Sequence, residues 1–148
     1  MIKKIRNNLV LELHIPDFKR AKNFYKLFGF SQVLYDHHSG GGSDLDYMVL
    51  KREDKLGESL INFYGNKKKA SEHAWFKNFP KNTLRGYGVE ITVPVENIDK
   101  LWEKVKNKLG SKQISQRLET KRWGKKDFRI IDPFGFYIRF TEIINWGQ

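Results

Sequence analysis

Hydrophobic and polar positions alternate with a period of two through several stretches of the chain and with a helical period through two others. In residues 8–15, Leu9, Leu11, Leu13 and Ile15 fall on one side and Val10, Glu12 and His14 on the other. That is the pattern of a strand with one apolar face. Asp17 follows as a helix cap, its carboxylate placed to accept from the free amides of a first turn. Phe18, Ala21, Phe24, Tyr25 and Phe28 then recur at helical spacing, and Gly29 ends the run. Residues 32–36 predict a short strand and residues 37–43, with Gly40-Gly41-Gly42, a loop. This glycine run is no phosphate loop, because no Lys-Ser or Lys-Thr follows it and no helix opens there. Residues 46–52 and 58–64 predict two further strands joined by Asp54-Lys55-Leu56-Gly57.

Residues 66–80 are polar and basic, with Trp75, Phe76 and Phe79 among them, and read as a linker with room for a short helix at 72–78. The pattern then restarts. Val89, Ile91 and Val93 mark a strand, and Asn97 caps a helix carrying Ile98, Leu101, Trp102 and Val105 that ends near Gly110. Residues 113–118 form a short strand, and residues 122–142 a hairpin. In the hairpin, Phe128 and Ile130 alternate with Arg129, and Phe136, Ile138 and Phe140 with Tyr137, Arg139 and Thr141. Asp132-Pro133-Phe134-Gly135 supplies the turn: Asp bonds its own backbone, Pro sets φ and Gly accepts positive φ. An aromatic, a cation and a hydroxyl on the outer face of the last strand suit a cleft; a plain hairpin with a solvated face leaves the same trace.

The order strand, helix, three strands thus occurs twice. Asp17 and Asn97 are eighty positions apart, and at the same offset Phe18 meets Ile98, Ala21 meets Leu101 and Val10 meets Glu90. The expected fold is α+β: two tandem βαβββ modules, each a curled four-stranded mixed sheet with a helix on its convex face. Module one covers about 7–65, a linker about 66–84 and module two about 85–142, in a single domain spanning 1–148.

Composition narrows the chemistry. The 148 residues contain no cysteine, which excludes disulfides, thiolate metal sites and a thiol nucleophile. The opening MIKKIRNN has no apolar signal core, and no run approaches a membrane span, so the expectation is a cytoplasmic protein with no membrane partner. A net charge of +11 keeps a nucleic-acid binder as an alternative. Most of that charge, however, is spread along the two amphipathic helices as solvated surface; only Lys67-Lys68-Lys69 and residues 121–126 are tight clusters.

Four stretches carry a family resemblance: HIPDFKRAKNFYKLFGF at 14–30, LINFYG at 60–65, YGVEITVPVENIDKLWEKV at 87–105, and RWGKKDFRIIDPFGFYIRFTE at 122–142. With the tandem order and the terminal DPFG turn, the chain resembles the vicinal oxygen chelate superfamily of glyoxalases, extradiol dioxygenases and bleomycin resistance proteins. PKNTLRGYGVEITV and RWGKKDFRIIDPFG look closest to the bleomycin resistance proteins, whose Trp-Gly loop lies over the ligand. Metal-dependent members place ligands on the first and last strand of each module. Matched here, those positions are Val10, Asn62, Glu90 and Arg139. Valine has no lone pair and arginine no acceptor, so the resemblance implies a fold without the family's metal.

Among the histidines, His37 and His38 sit beside glycines in the expected loop, while His14 shares a strand face with Glu12, as a cleft pair or a polar edge. No Ser or Thr lies in a nucleophile elbow. Trp123, between Arg122 and Gly124, suits a loop aromatic over a ligand. The reading is a metal-independent small-molecule binding protein rather than an enzyme, sequestering an antibiotic such as bleomycin. The expected ligand-binding residues are Trp123, Arg139, Glu90, Asn62, Glu12, His14 and Tyr137, with no catalytic residue, metal ligand or cofactor. A homodimer is expected, in which modules of different chains pair and Ile143, Ile144 and Trp146 help cover the partner. A direct Glu90–Arg139 ion pair is expected where relatives hold the ion. The alternatives are a metal-dependent lyase or dioxygenase of the same superfamily and the nucleic-acid binder.

Overall fold

In the computed structural model, which describes residues 9–33, 46–67 and 71–145, the strand–helix–three-strand order occurs twice. The first pass is β1 (Glu12–Ile15), α1 (Phe18–Lys26), β2 (Ser31–Gln32), β3 (Tyr47–Asp54) and β4 (Gly57–Gly65). The second is β5 (Glu90–Pro94), α2 (Ile98–Val105), β6 (Ile114–Thr120), β7 (Lys126–Ile131) and β8 (Tyr137–Thr141). The strands form two four-stranded mixed sheets of identical topology, β1-β4-β3-β2 and β5-β8-β7-β6. In each, the first strand runs parallel to the last and the other pairs are antiparallel.

The local chemistry explains the breaks. Asp17 Oδ1 accepts from Arg20 N at 2.9 Å, and Asn97 Oδ1 accepts from Lys100 N at 3.1 Å, so both helices carry the expected cap. Gly57 turns β3 into β4 at φ +136°, while Asp54 Oδ1 accepts from Leu56 N at 2.9 Å. Burial pushes the Asp54 carboxyl up, but bonds from Arg52 and from the Glu96 and Leu56 amides outweigh it and hold the group below its ordinary value.

Four boundaries differ from expectation. β1 begins at Glu12, the first residue in register with β4 opposite Asn62, and Leu9 and Val10 precede it largely exposed. The helix expected at 72–78 is one 3-10 turn, Phe76–Asn78, too short to bury an apolar stripe. α2 ends at Val105, not near Gly110, although Leu109 is still buried beyond it. The strand expected at 113–118 runs Ile114–Thr120, behind a 3-10 turn at Ser111–Gln113. The glycine loop with His37 and His38, the rest of the strand expected at 32–36, and Trp146 fall outside the described residues.

Each helix covers one face of its sheet and leaves the other open. Phe18, Ala21, Phe24 and Tyr25 of α1 pack with Leu13, Ile15, Leu50, Ile61 and Phe63. Ile98, Leu101, Trp102 and Val105 of α2 pack with Phe128, Ile130, Ile138 and Phe140. The buried cluster is continuous across both modules. Phe28, just beyond α1, stacks on Phe140 of β8 with ring centres 4.6 Å apart and planes 8° from parallel. Tyr25 of α1 donates its hydroxyl to Asp132 Oδ2 at 2.7 Å, across 107 residues of sequence.

Asp132 organises the β7–β8 turn as its sequence suggests. Its Oδ1 accepts from Phe134 N at 2.8 Å and Phe136 N at 2.9 Å. Burial nevertheless raises the Asp132 carboxyl above its ordinary value, because these bonds offset only part of the lost hydration. Gly86 presses against this turn. A Cβ there would meet Gly135 O at 2.9 Å, and its φ of +75° is one that glycine tolerates.

Candidate functional site

On the open face of the second sheet, alternation along β7 and β8 gathers a set of charged side chains. Asp127 is fully buried at the centre. Its Oδ2 accepts from Arg139 Nε at 2.9 Å, and its Oδ1 accepts from Gln116 Nε2 at 2.8 Å and from Arg129 Nη1 at 3.4 Å. Lys121 Nζ lies 4.0 Å from the same carboxylate. Arg129 also donates through Nε to Glu90 Oε2 at 3.1 Å, and its Nη1 meets Gln116 Oε1. Above this network the Arg139 guanidinium lies against the Trp123 ring, 5.3 Å from its centre. Arg139 is 7% exposed, yet its Nη2 has no hydrogen-bond partner among the described residues.

The expected Glu90–Arg139 pair is therefore corrected in detail. Arg139 Nη1 and Glu90 Oε1 approach to 3.9 Å, within an ion pair but beyond a hydrogen bond. Each spends its close bond elsewhere, Arg139 on Asp127 and Glu90 on Arg129. The reason is register. Arg129 stands opposite Arg139, which puts Asp127 two positions along β7, diagonal to Arg139 and within reach of a long side chain.

A second group lies on the first sheet. Glu12 Oε1 and His14 Nε2 are 2.9 Å apart, so the two residues sharing a β1 face do meet. Asn62 Nδ2 donates to the Tyr47 hydroxyl at 2.7 Å, and Tyr47 in turn meets Glu12. Burial, then the bond to Glu12, raises the Tyr47 hydroxyl above its ordinary value. The His14 ring sits among Tyr64, His73 and Phe76, with centre separations of 4.9, 4.7 and 4.7 Å. Beside this group is a cavity of about 550 Å³, lined by Glu12 and His14 below and by residues 76–86 above.

Desolvation, with a lesser push from His73, lowers the His14 pKa from 6.5 against the opposing pull of Glu12. A base whose folded value is depressed contributes stability that is full above its unfolded value and is lost as pH falls from there through the folded value. His14 is thus expected to titrate below 6.5, and the fold to weaken as acid passes that point. A histidine Cε1–H NMR titration with a midpoint for His14 at or above 6.5 contradicts the environment described.

Six of the seven expected residues therefore form two groups: Glu12, His14 and Asn62 on the first sheet, and Glu90, Arg139 and Trp123 on the second. Tyr137 stands beside Glu90 in the β5–β8 register, half-buried. No described hydrogen bond, ion pair or ring contact joins the two groups. Asp127, Arg129 and Gln116 were missed by sequence reasoning, although the alternation that aims Arg129 outward aims Asp127 with it. Of the linker aromatics read as connecting chain, Phe76 and Phe79 prove to wall the cavity.

The donor set does not fit a resident divalent ion. Val10 is 67% exposed ahead of β1 and carries no donor atom. Asn62 is bonded to Tyr47, Glu90 to Arg129, and Arg139 is itself a cation. Among the described residues, no three His, Cys, Asp or Glu side chains group as metal ligands do. No described helix is long and apolar enough to cross a membrane.

Comparison with known proteins places these features. The model of the glyoxalase/bleomycin resistance protein/dioxygenase superfamily matches residues 9–140. Among solved structures, a bleomycin resistance determinant encoded on transposon Tn5 superposes with a TM-score of 0.59 at 17% identity, covering 92% of this chain and 97% of that one. TioX from Micromonospora sp. ML1 gives 0.63 at 20% identity, covering 93% and 99%. A bleomycin-binding protein complexed with bleomycin gives 0.57 at 18% identity, again covering 93% and 99%. At these identities the likeness carries the fold. No curated protein shows significant sequence similarity to the chain.

Proposed function

Because the chain belongs to the glyoxalase/bleomycin resistance protein/dioxygenase superfamily, we propose that it is one of the superfamily's metal-independent small-molecule binding proteins, acting in the cytoplasm as a homodimer. The observation that carries this reading is Arg139. At a position where metal-dependent relatives converge their ligands, this chain has a guanidinium, 7% exposed, tied to Asp127 and covered by Trp123. Such a site binds by stacking, apolar burial and charge contacts, which is all that sequestration requires. The unpartnered Nη2 of Arg139 suits a ligand with a hydrogen-bond acceptor near a planar ring. Bleomycin is the antibiotic to test first, although a +11 chain repels cations at long range and the attraction must come locally from Glu90 or Glu12.

A thermal-shift screen over bleomycin, other aromatic antibiotics and anionic metabolites tests the reading, since a ligand of the native state raises the melting temperature. Elemental analysis showing a stoichiometric divalent metal in the purified protein overturns it. Trp123 is 51% exposed on the β6–β7 hairpin, so Trp123→Ala should weaken a screened ligand by about 1 kcal/mol or more, the order of one lost aromatic contact. The melting temperature of the free protein should stay nearly constant. Unchanged affinity, or a large loss of stability, contradicts the role.

What the chain leaves uncovered supports the dimer. Leu60, on the open face of the first sheet, is 48% exposed, and Ile143, beyond β8, 47%. Paired modules from two copies bring the Glu12 group of one chain toward the Trp123 group of the other and cover these side chains. Sedimentation at micromolar concentration should therefore find a dimer; a monomer there removes this part of the proposal.

A further inference from the structure

The cavity between β1 and residues 76–86 has a chemistry that neither sheet face explains. We infer that it is a second ligand site, for an organic acid with an apolar body and a single anionic group. Its volume of about 550 Å³ is that of a small-molecule site. Phe76, Phe79 and Leu84 wall one side and Phe136 another. Lys77, Lys81 and Arg85 surround the same space, against one carboxylate, Glu12. Among the described residues, none of the three cations meets a carboxylate, while Glu12 is already engaged by His14. An anion entering the cavity thus meets positive charge beside apolar walls, where the attraction is screened less than at an open surface.

The walls are held in place before any ligand arrives. At one end His73 Nδ1 accepts from Trp75 N at 3.1 Å and Phe76 N at 3.3 Å, which fixes the turn carrying Phe76 and Phe79. At the other, Arg85 Nε donates to His14 O at 3.0 Å, and the Gly86–Gly135 contact leaves no room for a side chain. A site built from fixed parts loses little freedom on binding. Glu12 and His14 belong also to the group that the proposed dimer turns toward the partner's Trp123, so the two sites are told apart at Lys77, Lys81 and Leu84, which line this cavity alone.

The test uses 8-anilinonaphthalene-1-sulfonate, an apolar body with one sulfonate, against its neutral counterpart N-phenyl-1-naphthylamine. Fluorescence titration of the full chain should find one sulfonate probe per chain, bound about tenfold tighter than the neutral probe. The double variant Lys77→Glu/Lys81→Glu, at two exposed positions, should cancel that preference, and Trp123→Ala should leave it intact. Leu84→Glu, at a residue 76% exposed, should weaken the sulfonate probe without touching either lysine. Equal affinity for the two probes overturns the inference, as does a sulfonate affinity indifferent to the lysine and leucine variants or lost with Trp123. Sulfonate binding that vanishes as the chain dimerises assigns the cavity lining to the subunit interface and overturns it equally.

Discussion

Arg139→Ala is expected to destabilise the fold by about 3 kcal/mol or more, the cost of removing one partner from a buried ion pair. The loss arises at Asp127, which is fully buried and takes its shortest charged bond, 2.9 Å, from Arg139 Nε. Arg129 at 3.4 Å and Lys121 at 4.0 Å compensate poorly, because Arg129 is also bonded to Glu90 and Gln116. Urea unfolding measures the change directly. Adding Asp127→Asn to Arg139→Met should recover much of the loss, since a neutral amide beside an apolar side chain no longer buries an uncompensated charge. A cost below about 1 kcal/mol for Arg139→Ala would instead show a pair wet enough to behave like a surface bridge.

Tyr25→Phe should cost about 1–3 kcal/mol, the penalty for leaving a buried acceptor unsatisfied. The hydroxyl it removes is the only described side-chain donor to Asp132, which is 4% exposed. The ring stays and keeps its contacts with Phe24, Phe30 and Phe63, so packing changes little. Without the hydroxyl, the Asp132 carboxyl should rise further above its ordinary value, where burial already holds it. A folded-state carboxyl raised in this way contributes most below its unfolded value and loses ground as pH climbs through the folded one. The variant's deficit, followed by chemical denaturation, should therefore be smaller in acid than at neutral pH. A deficit that does not change with pH rejects the assignment.

The repeat was legible in the chain because its signals are local. Each cap is one residue, each turn four, and each strand face shows as a period of two, so both modules could be laid out without long-range information. Strand ends were read less well, since β1 starts where β4 is there to pair with it. The site was legible only in part. Arg139 and Trp123 declared themselves by side-chain type, and Glu12 with His14 by sharing a strand face. Which carboxylate Arg139 would choose depends on register between β7 and β8, and Asp127 carries no mark that separates it from a solvated aspartate. The cavity was invisible because its walls come from a segment with no periodicity, placed by contacts to His14 and Gly135 distant in sequence.

The stack of Phe28 on Phe140 makes each half of the repeat part of the other's selective environment. A change of volume at position 28 is felt by Phe140 in the other half as well as by Phe24 of α1. Through this contact a repacking in one half requires accommodation in the other. No described contact joins the two halves at Val10 and Glu90, which stand at the eighty-residue offset of the repeat and differ as widely as an isopropyl group and a carboxylate.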